Sequence, residues 1–535
     1  MSEYSTPEPS RPRESRPPII GVPEANESAP PRRTPGPRKT GILGYVFLFL
    51  LVGIAFAPLF LSPLSWTDYD SVVRSSYTEM ESWTEAWSLD SIQTNDPLSI
   101  SSYFWEQALP GPQGLVQRGI NLCLHLIAAI LLLKIVERLK FPAPLSVALV
   151  FALHPATVQT LFWPGYRAEL IGLICILGAL FFAVGDGSRR NWTAFLLVGV
   201  AAILVHPAAL ALPLIVAAII VYRSRHLTLE AFNPVLPILF LSLFLALWIE
   251  PATPNFPEAL DPSQRLYLFG QSMYFYIRQS LFPLTLDLFY PLKQSPTQQH
   301  SGAMSLLPFL LFIPFFVLFF FNIRHRWSRA LILGLSSYLI LVIYGLAQSG
   351  RYINGALAHE DHSLYVALPA IVTLIVSGIC GAAAHGGQSV VVLWRICLGV
   401  ITFALLSITT SYTYELSDST RMWQRMSEVW PNSWQAKAAY VESINDSGGE
   451  ELTVDARIGI LSQILEENPD LHNQRIELAR LYRDAGQNSN ALREYRRVLR
   501  DSQPERAFME ESIVFFERMG LNWEANNVRQ RMSEM

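Results

Sequence analysis

Apolar runs broken by short polar stretches set the pattern of this chain. Windows of 18 or more nearly uncharged residues recur from about residue 42 to residue 412, and such windows predict transmembrane helices. The first runs from Ile42 to Leu64. It is too long for the core of a cleavable signal, and no small-residue cleavage site stands out, so it reads as an uncleaved helix. Further spans are predicted at about 116–135, 145–162, 167–184, 192–206, 207–222, 234–249, 303–322, 329–347, 364–383 and 389–412. Arg265 to Phe282 is amphipathic. Counted as a span, it would place Arg324, Arg326 and Arg329 outside; counted as an interfacial or re-entrant helix, it keeps them inside, where basic residues belong. The second reading is adopted, which gives about eleven spans and one surface helix.

Charge orients this pattern. Arg32, Arg33, Arg38 and Lys39 precede the first span and hold that end in the cytoplasm. Lys134, Arg138 and Lys140, then Arg189 and Arg190, then Arg223 and Arg225 mark later inner ends. The first outer loop, residues 65–115, has one basic residue, Arg74, against Asp68, Asp70, Glu79, Glu81, Glu85, Asp90, Asp96 and Glu106. Its Trp66, Trp83, Trp87, Tyr103, Phe104 and Trp105 suggest short helices lying at the interface. The same count puts everything after Tyr412 on the outer side.

The pattern changes at about residue 413. The tail is charged, punctuated by glycine and periodic at helical spacing. Tyr482, Gly486 and Ala491 recur as Phe516, Gly520 and Ala525, each 34 residues later, with Ala479, Tyr495 and Pro504 completing the first unit. A less regular unit contains Ala456 and Pro469. Spacing of this size marks stacked helical hairpins of the tetratricopeptide type, in which small residues let helices cross closely. The expected fold class is therefore all-α: a polytopic membrane bundle over 41–412, then an extracytoplasmic tetratricopeptide solenoid over 413–535. Residues 1–40, rich in Pro, Ser, Glu and Arg with almost no core formers, are expected to be a disordered cytoplasmic tail.

Composition narrows the chemistry. A net charge of −4 gives no reason to expect a nucleic-acid partner. Cys123, Cys175, Cys380 and Cys397 all lie in apolar stretches with neither disulfide nor zinc spacing, so small buried core residues are the expectation. The polar groups inside apolar sequence are more informative. Between two apolar helices lie His154, Pro155, Gln159, Trp163, Arg167 and Glu169. Ionisable side chains at bilayer depth are costly and usually face a cavity or a partner. The predicted topology brings this knot to the outer face with Asp68-Tyr69-Asp70, Tyr290-Pro291 and Glu360-Asp361-His362.

Motifs along these segments resemble the multispanning, tetratricopeptide-tailed glycosyltransferase-like proteins of the GT-C superfamily, including the O-mannosyltransferase-like group. The matching residues are Asn121-Leu122-Cys123-Leu124-His125-Leu126; Phe151, His154, Pro155, Val158, Trp163, Arg167 and Glu169; Leu281, Pro283, Leu286, Tyr290 and Pro291; and Asp361-His362-Ser363-Leu364-Tyr365. Three positions depart from that pattern. Tyr69-Asp70-Ser71 keeps one of two paired acids, with Asp68 two residues before Asp70, Gln159 replaces an acid, and His362 replaces an arginine.

The resemblance implies transfer of a sugar from a polyprenyl-phosphate carrier to a protein or envelope acceptor recruited by the repeats. It makes Asp70 the general base with Asp68 as its substitute, and puts His154, Arg167, Glu169, Tyr290, Asp361, His362 and Tyr365 at the substrate. A sugar-acceptor hydroxyl is a poor nucleophile until a positioned base takes its proton. The phosphate leaving group calls for cationic help from Arg167, His362 or a divalent ion such as Mg or Mn. The three departures carry a second expectation, a non-catalytic membrane scaffold presenting the repeats to partners. A transporter ranks below both, because the polar groups gather at one face and not at the midplane.

Overall fold

The computed structural model describes residues 39–61, 83–88, 97–106, 108–111, 113–224, 228–248, 262–284, 286, 290–291, 312–313, 316–317, 320–348, 351–353, 356–359, 361–430, 434–447, 453–467, 469, 471–501 and 505–533. Asp68, Tyr69, Asp70, Glu360, most of the predicted 303–322 span and nearly all of the N-terminal tail lie outside these residues.

Helices dominate. The membrane-like part comprises α1 (Ile42–Phe56), α2 (Pro97–Glu106), α3 (Gln113–Arg138), α4 (Pro144–Ala152), α5 (Val158–Phe162), α6 (Arg167–Ala183), α7 (Arg189–Val205), α8 (Leu212–Arg223), α9 (Leu236–Trp248), α10 (Pro262–Leu281), α11 (Arg326–Gln348), α12 (Leu368–Ala383) and α13 (Gln388–Leu416). Among the described residues, five helical stretches are long and apolar enough to cross a membrane: Ile42–Phe60, Leu115–Arg138, Leu229–Leu247, Arg326–Ile343 and Gln388–Leu416. Pro207–Arg223 and Leu368–Ala383 are shorter apolar helices.

The predicted 145–162 span is not continuous. It breaks into α4 and a segment from Pro155 to Phe162, bent by 55°. Pro155 has no N–H and its ring clashes with the preceding turn, so the helix cannot run through it. Counted as one broken span, this pair brings the total to six.

These helices fit an integral membrane protein by their surfaces as well. On α1, Leu48, Val52, Ala55 and Phe56 are buried while Val46, Phe47 and Leu50 are exposed. On α13, Leu393, Ile396, Val400 and Phe403 are all exposed. Patches of that kind in water promote aggregation; against lipid they are ordinary. Where helices meet, small residues let the backbones approach. Gly178 faces Val198 between α6 and α7, and Gly199 faces Ile238 between α7 and α9. Cys123 departs from the core expectation: it is exposed on α3, and the other three cysteines are half-buried and free.

One non-helical feature was not expected. β1 (Tyr290–Pro291), β2 (Arg351–Ile353) and β3 (Ala356–His359) form an antiparallel ribbon in the order β1-β3-β2, with Tyr290 opposite His359 and Pro291 opposite Ala358. It sets Tyr290 beside the one-turn helix Asp361–Leu364 that follows β3 closely.

The tail continues as α14 (Ser419–Val429), α15 (Trp434–Ser447), α16 (Val454–Glu467), α17 (His472–Asp484), α18 (Asn488–Asp501), α19 (Arg506–Arg518) and α20 (Asn522–Ser533). Its buried side chains from Ala438 onward form a cluster separate from the membrane-like core. α17 packs on α18, and α19 on α20. The two turns are equivalent. Gly486 and Gly520 have φ of +72° and +74°. Gln487 N donates to Tyr482 O at 2.8 Å, and Leu521 N to Phe516 O at 2.8 Å. Positive φ is cheap only for glycine, which is why the residue recurs at this turn. The recurring Ala491 and Ala525 are fully buried.

The tail is locked by a carboxylate network. Glu511 accepts from Arg480 Nη2 at 2.8 Å and Tyr495 Oη at 2.6 Å, and also pairs with Arg483. Tyr495 stacks on Phe515 with ring centroids 4.6 Å apart. Burial alone would raise the Glu511 carboxyl, but the Arg480 and Tyr495 hydrogen bonds and the arginine charges hold it below its ordinary 4.5. Glu494, paired with Arg475 at 2.9 Å, is held low in the same way, against its own burial. A depressed carboxylate stabilises the fold fully above its unfolded value and loses that contribution as pH falls through the folded one. Hydrogen exchange across α17–α19 in the full chain is therefore expected to accelerate below about pH 4.5. Glu511→Gln should remove part of that acid sensitivity; an identical acid profile in wild type and variant would show the network to be inert.

Candidate functional site

The site is built on two proline-broken turns. His154 precedes Pro155-Ala156, and His206 precedes Pro207-Ala208. In each, proline opens a short tight helix and the histidine Nδ1 accepts the backbone N–H two residues on, at 3.3 Å from Ala156 and 3.2 Å from Ala208. Proline at the first helical position lacks an N–H that would be unsatisfied there anyway, and an N-cap acceptor satisfies the next donor. An accepting Nδ1 leaves the proton on Nε2. His206 Nε2 accordingly donates to Glu169 Oε2 at 2.9 Å, with both side chains buried.

Gly172, one turn beyond Glu169 on α6, lies under the His206 ring. A Cβ there would come within 2.5 Å of His206 Cγ, and the ring is held at both nitrogens. Gly172→Ala is expected to cost about 1–3 kcal/mol as overpacking and to lower the melting temperature of the solubilised protein. Unchanged melting would show that His206 is free to swing aside.

Arg167, the first residue of α6, is fully buried and paired with Glu106 of α2 at 2.5 Å. Its Nε donates to Asn121 Oδ1 on α3 at 3.0 Å, its Nη1 to Ser102 Oγ at 3.1 Å, and its plane lies 4.5 Å from the Tyr103 ring centroid. Asn121 Nδ2 in turn donates to Leu161 O at 3.3 Å. One guanidinium thus joins α2, α3 and α6. Arg118 does the same for the other end of the first outer loop, donating to Leu59 O at 2.8 Å.

The turn Asp361–Leu364 carries further buried polar groups. Asp361 Oδ2 accepts from Tyr290 Oη at 2.8 Å and from Gln279 Nε2 of α10 at 3.1 Å. His362 stacks on Tyr166, with ring centroids 3.8 Å apart and planes within 9°. Its backbone N–H donates to Gln159 Oε1 at 2.9 Å. The amide at 159 thereby provides the same acceptor that a carboxylate would. Tyr365 Oη meets His125 Nδ1 at 2.8 Å, and His125 Nε2 donates to Ala152 O at 3.1 Å.

His154, Arg167, Glu169, Tyr290, Asp361, His362 and Tyr365 are therefore all described, all buried, and tied into adjoining polar contacts. Glu106, His125, Gln159, His206 and Gln279 complete these contacts. The repeated His-Pro-Ala tripeptide was a readable signal for His206; nothing local in the sequence marks Glu106 as the partner of Arg167. Asp68 and Asp70 lie outside the described residues.

A divalent ion needs several oxygen ligands. Among the described residues, no group of three or more His, Cys, Asp or Glu side chains comes together to supply them.

No family model matches the chain, and no curated protein sequence matches it.

Proposed function

We propose that the chain is a membrane glycosyltransferase of the GT-C kind, moving a sugar from a polyprenyl-phosphate carrier to a protein or envelope acceptor. The observation that supports this reading is the buried polar layer. Seven residues singled out from distant parts of the sequence belong to it: His154, Arg167 and Glu169 at helix ends, Tyr290 on β1, and Asp361, His362 and Tyr365 in the turn before α12. Ionisable groups within apolar surroundings are expensive and usually functional.

In this reading Asp70 accepts the proton of the acceptor hydroxyl, with Asp68 as its substitute. The hydroxyl oxygen attacks the anomeric carbon, and the bond from that carbon to the phosphate oxygen breaks with its electrons leaving on phosphate. Arg167 is occupied by Glu106, so its first effect is positional: it fixes the C-terminal end of the loop that carries both aspartates. His362 offers the leaving phosphate a hydrogen-bond donor, and Tyr290 and Tyr365 shape the pocket. The tail serves as an extracytoplasmic tetratricopeptide solenoid that recruits the acceptor, and the eleven-span count belongs to the same reading.

A specific observation favours the scaffold alternative. Arg167 is fully enclosed and His362 is stacked beneath Tyr166, so neither meets a phosphate without rearrangement. The purified full chain assayed with a panel of polyprenyl-phosphate sugars decides between the two. Transfer of labelled sugar is the expected result. No transfer with any donor, together with capture of a partner by the tail, would favour the scaffold. Cysteines placed in the tail should label only from outside the membrane.

A further inference from the structure

A second polar feature lies at the other end of the bundle and belongs to no part of the proposed transfer site. Asn121 and Arg138 sit on the same helix α3, about 25 Å apart at ~1.5 Å per residue, close to the ~30 Å of a bilayer core. At the Arg138 end, a cavity of about 910 Å³ is lined by Arg138, Lys140, Arg223, Arg324, Arg326 and Arg329. Leu139, Lys140, Tyr222 and Arg326 also line an adjoining cavity of about 1190 Å³. The walls of that second space are apolar, including Leu132, Leu177, Ile215, Leu333, Val366 and Leu374.

Four of these cations are held in place, but not by carboxylates. Arg138 donates to Phe181 O, Arg223 to Gly185 O at 3.1 Å, Arg326 to Tyr222 Oη at 3.0 Å and Arg329 to Ser224 O. Arg329 Nε is buried with no hydrogen-bond partner among the described residues. Asp186 reaches Arg138 electrostatically, yet among the described residues none of the six cations forms an ion pair with a carboxylate. Like charges gathered in one concavity repel unless an anion joins them. Residues that only orient a membrane protein need no shared cavity; these six line one.

We propose that this is a binding site for an anionic phospholipid. The phosphate sits among the arginines, and the acyl chains enter the adjoining apolar cavity. Charge complementarity selects an anion, since guanidinium and phosphate match in geometry and charge. The apolar space opening directly from the basic one selects a lipid over free phosphate.

The test uses the delipidated full chain in detergent, titrated with phosphatidylglycerol, phosphatidylcholine or inorganic phosphate and read by native mass spectrometry and thermal shift. Phosphatidylglycerol is expected to bind at least about tenfold more tightly than phosphatidylcholine, since a phosphate paired with several cations outweighs a neutral headgroup by more than ~1.4 kcal/mol. Two variants separate head from tail. Lys140→Glu with Arg324→Glu reverses two exposed cations whose side chains hold no partner among the described residues, and should abolish the preference for the anionic lipid. Gly378→Phe should abolish lipid retention without lowering the melting temperature of the lipid-free protein, because a side chain at Gly378 projects into open space in the apolar cavity. Equal binding of the two lipids, or retention that survives Gly378→Phe, overturns the proposal. Competition by inorganic phosphate at equal concentration also overturns it, in favour of a soluble anion.

Discussion

Glu106→Ala is expected to be the most destabilising single substitution in the described part of the bundle, costing about 3–5 kcal/mol as the loss of one partner of a buried ion pair. The reason is asymmetry within the pair. Burial pushes the Glu106 carboxyl up, and the Arg167 charge and hydrogen bond bring it only part of the way back. A carboxyl so placed takes up a proton when its partner leaves. Arg167 has no such escape, because a guanidinium stays charged in proteins. Arg167→Met should therefore cost less than Glu106→Ala, and its deficit should shrink as pH falls and Glu106 becomes neutral. The sign follows from linkage: a carboxyl raised in the folded state binds more protons than in the unfolded one, so acid favours the fold. The double variant Glu106→Leu, Arg167→Met should lie near wild type, since apolar residues of similar volume often replace a buried pair without loss. Thermal melts of wild type, Glu106→Leu, Arg167→Met and the double variant in one detergent across pH 5–8 form the cycle. Strictly additive losses would mean that the two side chains do not act as a pair.

That pair also shows where the sequence could be read and where it could not. Helix positions were legible because apolar runs end at recognisable punctuation: Ser188 before α7, Pro207 before α8, Gly387 before α13. The His206-Pro207 break was legible as a boundary between two predicted spans, whereas the predicted 145–162 span ran through His154-Pro155. What the chain does not reveal is which side of an apolar helix faces inward. α6 is apolar nearly all round, so periodicity gives no face, and nothing local joins Arg167 to Glu106 or Gln159 to His362. α10 is the exception. It is amphipathic, and Gln279 lies on its buried side with Ser272, Met273 and Tyr276. The ribbon escaped for a different reason: its strands span two to four residues, too short for an alternating pattern to emerge. In the tail, by contrast, positive-φ glycines and buried alanines recur at fixed spacing, and the sequence displays the same period.

Asp70→Asn is expected to lower sugar transfer by about 10²–10⁴-fold while leaving the fold intact, the loss that removal of a positioned general base produces. Asparagine keeps the shape of the side chain and still accepts a hydrogen bond, but it cannot take the acceptor proton. Asp68→Asn should cost less than Asp70→Asn if Asp70 is the base, and more if the two have exchanged roles, so the pair of single variants ranks them directly. The comparison is clean because the loop that bears them is tied down elsewhere: Arg118 binds Leu59 O before it, and Arg167 binds Glu106 after it. Neither tether involves an aspartate, so melting temperatures should match wild type. Donor binding should also survive, which places the loss in kcat and not in KM. Wild-type transfer rates in both variants would remove the aspartates from the chemistry. The buried His-Glu, Arg-Glu and Tyr-Asp contacts would then serve to hold neighbouring segments of the bundle in register.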